Sequence, residues 1–295
     1  MKYGQIITAK MIDQNEDSYF VQNQGLTFAV AKEEFDEALA MGQEVEGMIY
    51  ENRHHERVMT TQLPDIRPGY YGWAPVVEVR KDLGVFLDVG LKDKEVVLSL
   101  DDLPEIHAIW PKKGDQLYVT FNADEQNRLW ASLAPIETIQ NLFVKAPKDL
   151  LNQNIQARVY HSKKVGSLCI TSEGYSAFVH QSEYEGDEPR LGEELQARVI
   201  NVREDGGLNI SERPRAHEAL EDDAGMILAL LTKAPSHFLG LHDKSDPNLI
   251  QVQLGISKSQ FKRAVGQLMK KKLVQQEKGV GIHLIDGQNA DEKEA

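Results

Sequence analysis

The chain has 295 residues, 41% hydrophobic and 27% charged, with a formal net charge of −13, which describes globular material in about two to four small domains. One cysteine, Cys169, excludes a disulfide framework and a Cys-rich zinc site and fits a reducing cytoplasm. The longest unbroken apolar run, Met226 to Leu231, is far too short to span a bilayer, and the N-terminus lacks the apolar core of a signal peptide, so no membrane partner is expected.

An acidic total slows encounter with polyanions, but the charge is unevenly spread. Residues 257–278 hold Lys258, Lys262, Arg263, Lys270, Lys271, Lys272 and Lys278 against Glu277 alone, net +6, which leaves −19 on the remainder. Such asymmetry points to a local anion-binding surface.

In chain order, the first unit opens with strands in "GQIITAKMI", "SYFVQ" and "LTFAVA" and closes with the hairpin "MGQEVEGMIYENRHHERVMTTQLP". The second repeats this plan as "GWAPVVEVR", "GVFLDVG", "EVVLSL" and "KKGDQLYVTFNADEQNRLWASLAP". In the third, "NIQARVYHS", "GSLCIT" and "SAFVHQS" precede "LGEELQARVINVREDGGLNISERP". The three hairpins run from Gly42 to Pro64, Gly114 to Pro135 and Gly192 to Pro214, spans of 22, 21 and 22 residues. Leu195, Ala197 and Val199 alternate with Gln196 and Arg198, the period of a half-buried strand, and "EDGG" supplies the turn. Five short strands per unit suit a closed barrel, because closure removes exposed edges.

The period then changes. Leu220, Ala224, Ile227, Leu228 and Leu231 mark an amphipathic helix. "SDPNLIQVQLG" predicts a second, with Asp246 as N-cap, Pro247 at its first position and Gly255 as its stop. "SKSQFKRAVGQLMKKK" opens a third on a Ser257–Gln260 capping box and buries Phe261, Ala264, Val265 and Leu268. At about 100° per residue, Lys258, Lys262, Arg263 and Lys270 share its other face. Gly266 also lies there, either to admit a backbone phosphate or as an ordinary helix defect. "LVQQEKGVGIHLI" reads as strand, glycine turn and strand, and the acidic end of the chain as disordered.

The expected domains are 1–64, 65–145 and 146–214 as small barrels, 215–287 as the helical domain and 288–295 as tail, giving a multidomain, mainly β chain with an α+β C-terminus. "AFVHQSEY" at 177–184 and "LGVFLDVG" at 83–90 resemble the VH and GxF segments of S1-type RNA-binding domains. That resemblance implies OB-fold barrels that hold single-stranded RNA on strand aromatics and basic side chains. Three departures stand: Leu168 occupies the aromatic GxF position of the third unit, Leu98 the VH position of the second, and the first keeps Tyr19, Phe20 and Phe28 without a clear motif. The helical segment resembles a winged-helix domain. Together, three S1-like units and a C-terminal winged helix resemble the conserved virulence factor B family of bacterial regulators, which implies RNA binding and an effect on gene expression rather than a reaction.

Candidate RNA-binding residues follow. Phe178 and His180 share one strand face, either open to bases or closing the barrel. Lys163 and Lys164, beside the same sheet, suit phosphate, and His161, Arg158, Tyr175 and Arg198 accompany them. Phe86 is the one well-placed ring of the second unit, with barrel core as its other reading. Lys258, Lys262, Arg263, Lys270 and Lys271 complete the set. Trp73, Trp110 and Trp130 are expected to pack. "HHE" at 54–56 reads as a surface turn, since adjacent side chains on a strand diverge and no third ligand accompanies them. No nucleophile, acid–base pair, phosphate loop, metal site or cofactor motif emerges. The expected protein is a non-enzymatic regulator that binds single-stranded RNA. Its alternatives are a DNA-binding transcription regulator and an adaptor for proteins of ribosomal or RNA-processing machinery.

Overall fold

The computed structural model describes residues 1–214, 216–234 and 236–285, with the side chains of 216–221 outside that description. The side chain of the expected helix position Leu220 and the acidic tail 288–295 therefore lie outside it. Two compact units divide the chain after Arg213.

The first unit holds three closed five-stranded barrels of one topology. β1 (Ile6–Gln14), β2 (Ser18–Asn23), β3 (Leu26–Ala31), β4 (Glu44–Glu51) and β5 (Arg57–Thr60) close in the order β1-β2-β3-β5-β4. The second barrel repeats this with β6 (Gly72–Arg80), β7 (Gly84–Asp88), β8 (Glu95–Leu98), β9 (Gln116–Ala123) and β10 (Leu129–Leu133). After the short helix α1 (Ile136–Gln140), the third uses β11 (Asn154–Lys163), β12 (Gly166–Thr171), β13 (Ser176–His180), β14 (Glu194–Val202) and β15 (Leu208–Ser211). Alternation aims Ala157, Val159, Cys169, Ala177, Val179, Leu195, Ala197 and Val199 into the third core. The "EDGG" turn forms as expected, with the Arg203 amide donating to the Gly207 carbonyl at 2.8 Å.

The barrels are joined by specific contacts. Tyr50 Oη donates to the Lys92 carbonyl at 3.0 Å, and one apolar cluster runs from Met48 and Tyr50 into the second barrel's core. Between the second and third, the Gln116 amide donates to the Gly192 carbonyl at 3.1 Å, the Leu191 amide to the Ile109 carbonyl at 3.0 Å, and Arg190 grips both oxygens of Asp115. A bidentate guanidinium–carboxylate pair of low exposure fixes orientation as well as distance.

The second unit comprises α2 (Ala216–Lys233), β16 (Phe238–Leu239), α3 (Pro247–Leu254), α4 (Lys258–Lys270), β17 (Val274–Glu277) and β18 (Gly281–Leu284), with β18 pairing with both β16 and β17 in a sheet ordered β16-β18-β17. This is a winged helix. Asp246 caps α3 by accepting from the Asn248 amide at 2.7 Å, Gly255 ends it in the left-handed region, and the Ser257–Gln260 capping box forms. Ala224, Ile227 and Leu231 of α2 meet Phe261, Ala264, Val265 and Leu268 of α4 in one core. Strand β16 went unforeseen because two residues, Phe238 and Leu239, are too short to show a period.

Candidate nucleic-acid interface

The three barrels can be compared position by position, because each first strand carries a bulge at the same place, between Met11 and Asp13, Val76 and Glu78, and Val159 and His161. From the residue after the bulge an outward row crosses the sheet. In the first barrel it reads Asp13, Phe20, Ala29, Val58; in the second Glu78, Phe86, Val97, Trp130; in the third His161, Leu168, Phe178, Asn209. The row therefore begins with a carboxylate in two barrels and an imidazole in the third. In the turn that follows, the first barrel holds Glu16 and Asp17, whereas Arg80 and Lys81 of the second stand where the third carries Lys163 and Lys164, Arg80 being paired with Asp82 at 3.2 Å. Neither Lys163 nor Lys164 has an ion-pair partner among the described residues, and both are exposed.

On β13, Ala177 and Val179 face the core, which turns Phe178 and His180 outward. Their rings lie 6.4 Å apart, edge to face, with Phe178 half-buried and His180 exposed. Of the two sequence readings, this geometry is the open face. Gly166, opposite His180 in the register, makes the face possible: a Cβ there would stand 2.2 Å from the Val179 carbonyl oxygen and 2.8 Å from the Phe178 ring, at φ +151°. Gly84 does the same in the second barrel, where a Cβ would meet the Leu98 carbonyl at 2.1 Å. The Ser182 amide donates to His180 Nδ1 at 3.2 Å, so the neutral ring carries its proton on Nε2, a donor toward solvent. Burial, and then Lys163, hold the His161 imidazole below its ordinary range. His161 is therefore neutral at pH 7 and offers a ring and a hydrogen bond rather than charge.

Other expected residues stand differently. Phe86 is half-buried in the outward row of the second barrel. Tyr19 and Phe28 of the first are core, at 4% and 1% exposure, leaving Phe20 as its outward ring. Tyr175 packs against the third barrel's core rather than joining Phe178. Arg158 is engaged: its guanidinium meets Glu194 at 2.5 Å and lies over the Trp73 ring, 5.6 Å from the centroid. Arg198 Nη1 donates to Asn152 Oδ1 at 3.4 Å on β14. Trp110 packs against the core and donates to the Pro104 carbonyl at 2.6 Å, as expected. Trp73 and Trp130 do not fill cores; both stand half-buried on outer faces. Ala74 and Val76, like Leu129 and Ala131, face inward, and that alternation was the signal that could have placed both indoles outside.

In the winged helix, Lys262, Arg263, Lys270 and Lys271 are exposed. Lys258 departs from that face: half-buried, it donates through Nζ to the Ser245 carbonyl at 2.7 Å and ties α4 to the turn before α3. A Cβ on Gly266 would meet open space, so packing does not demand glycine there. In the first barrel's turn, His55 Nδ1 lies 2.9 Å from Glu51 and the His54 amide donates to Asn52.

The comparisons with known proteins agree with this architecture. Residues 3–62 match the S1 domain, 71–132 the CvfB first S1-like domain, 139–214 the second domain of virulence regulatory factor CvfB, and 225–284 the CvfB-like winged helix domain. Conserved virulence factor B of Staphylococcus aureus is 39% identical over 83% of this chain and 80% of its own. YitL of Bacillus subtilis is 37% identical over 95% of this chain and 93% of its own. A crystal structure from Streptococcus pneumoniae, described as a multidomain protein with nucleic acid binding domains, is 44% identical, covers 96% of this chain and 98% of its own, and superposes with a TM-score of 0.69. Three S1-like barrels, a winged helix and relatives of this identity across nearly the full length place the chain in the conserved virulence factor B family.

Proposed function

We propose that the protein is a non-enzymatic, cytoplasmic regulator of bacterial gene expression that binds single-stranded RNA through its third barrel and its winged helix. The observation that carries this reading is the loss of negative charge along equivalent positions: Asp13 and Glu78 give way to the neutral His161, and turns holding Glu16, Asp17 and Asp82 give way to one with Lys163 and Lys164 and no acid. Cations at the rim hold the phosphate chain while Phe178 and His180 engage unstacked bases. Lys262, Arg263, Lys270 and Lys271 add a second phosphate-binding surface. The relatives named as virulence factors support a regulatory role in which virulence genes are among the targets.

Competition in a gel shift tests it: unlabelled single-stranded RNA displaces a labelled RNA strand far better than duplex DNA of equal length. The reverse preference selects a second reading, a duplex-DNA regulator, which the exposed cations of α4 favour because winged helices commonly place that helix in a groove.

A further inference from the structure

The second and third barrels line an open cavity of about 280 Å³ on the side of β6, β9 and β11, with Ile170 of its wall two residues along β12 from Leu168 of the Phe178 row. Trp73, Gln116, Gln156, Arg158, Thr171 and Ser172 line it. We propose that this cavity binds a nucleobase, an extension of the strand-binding reading to a second site on the molecule.

Four observations select that ligand. First, the walls are planar: the Trp73 indole with the Arg158 guanidinium 5.6 Å from its centroid, surfaces on which a flat heterocycle stacks. Second, the site is locally neutral. Arg158 is already paired with Glu194, so a bare phosphate gains little there while an uncharged ring loses nothing. Third, Gln116 and Gln156 present carboxamides with no hydrogen-bond partner among the described residues, and a carboxamide offers the donor and acceptor that a base edge requires. Thr171 is already engaged, its Oγ1 accepting from the Tyr175 amide at 3.1 Å and its O–H donating to Glu173, so the two glutamines are the groups that read the base edge. Fourth, neighbouring rings hold Trp73 in place: Tyr118 meets it at 5.0 Å, and Tyr71 stacks on Tyr118 at 6.2 Å. The cavity is also preformed, since the Gln116–Gly192 hydrogen bond and the Arg190–Asp115 pair fix the two barrels that wall it.

The test uses the full chain with Trp110→Phe and Trp130→Phe, so that Trp73 is the sole indole. Its fluorescence is titrated with adenosine and uridine 5′-monophosphates and with a short single-stranded RNA. Saturable quenching is expected, weakened about fivefold in apparent affinity by Gln156→Ala, the effect of one lost hydrogen bond. Quenching by monophosphates shows that a free nucleotide suffices; quenching by the RNA alone shows that a strand delivers the base. Unchanged Trp73 emission with every probe overturns the inference, as does quenching indifferent to Gln156→Ala. Adding Phe178→Ala and His180→Ala keeps the two sites separate: the monophosphate response survives those changes even if the third barrel's outer row proves idle.

Discussion

At the scale of single residues, Phe178 and His180 depend on what their neighbours omit. Gly166 leaves the space that the Phe178 ring uses, and Val179 between them anchors β13 in the core. Replacing both with alanine removes stacking but no core contact. Affinity for single-stranded RNA is expected to fall roughly 5- to 150-fold, the loss of about 1–3 kcal/mol for one stacked base, with thermal stability unchanged; unaltered affinity in an anisotropy titration contradicts the assignment. Glu212 has a different role. Burial, then Glu193 and Glu185, push its carboxyl from the ordinary 4.5 up to about 7. A folded value above the unfolded one means that its contribution is complete below about 4.5 and lost as pH rises through about 7. Glu212→Gln should therefore stabilise the barrel unit at pH 8 by about 1 kcal/mol, a figure reduced for its partial exposure, and leave pH 4 almost unaffected. Thermal unfolding at the two pH values checks this, and an equal effect at both contradicts it.

At the scale of elements, α4 unites a buried apolar stripe with an exposed cationic one. The stripe is Phe261, Ala264, Val265 and Leu268, all buried, and the helix start is held by its capping box. Charge reversal as Lys262→Glu with Arg263→Glu leaves that stripe untouched. Removing two phosphate contacts is expected to reduce the salt slope of RNA binding by about 1.4; an unchanged slope takes α4 out of the interface. Gly266→Ala separates packing from binding on the same helix. The open space at its Cβ predicts a gain in stability of about 0.5–1 kcal/mol, while RNA affinity falls because the added methyl crowds the phosphate. A gain in stability with undiminished affinity would make the glycine a simple helix defect. Local elements like these were legible in the sequence, because Asp246, Pro247, Gly255 and Ser257 act within a few residues of themselves. Which strand positions face out was only partly legible: Val179 set Phe178 and His180 on one shared face but left open whether that face was exposed, and "SYFVQ" offered two adjacent rings, of which the fold buries Tyr19 and turns Phe20 outward.

At the scale of the whole molecule, three copies of one barrel have been given different surfaces. The first two carry the acids Asp13 and Glu78 where the third carries His161, only the third follows that row with a turn free of acids, and the net charge of −13 conceals the difference. Contacts between barrels were beyond the sequence reading. Arg158 met as a free cation in "NIQARVYHS" is paired with Glu194 and set over Trp73 from the preceding barrel, and Lys258, read from helical periodicity, is bound to the Ser245 carbonyl. Both outcomes depend on where distant segments come to rest, which no local period encodes. In the proposed function, binding of a single strand by the cations of the third barrel and by those of the winged helix is the central event. Its most direct test is the salt dependence of single-stranded RNA binding by the full chain, compared with a variant carrying Lys163→Glu, Lys164→Glu, Lys262→Glu and Arg263→Glu. With about five phosphates engaged, the unmodified chain should show a log–log slope of roughly −3.5 and the variant, with four of those contacts reversed, a slope of roughly −0.7 with much weaker binding. A flat response from the unmodified chain, or equal slopes from the two proteins, would contradict it.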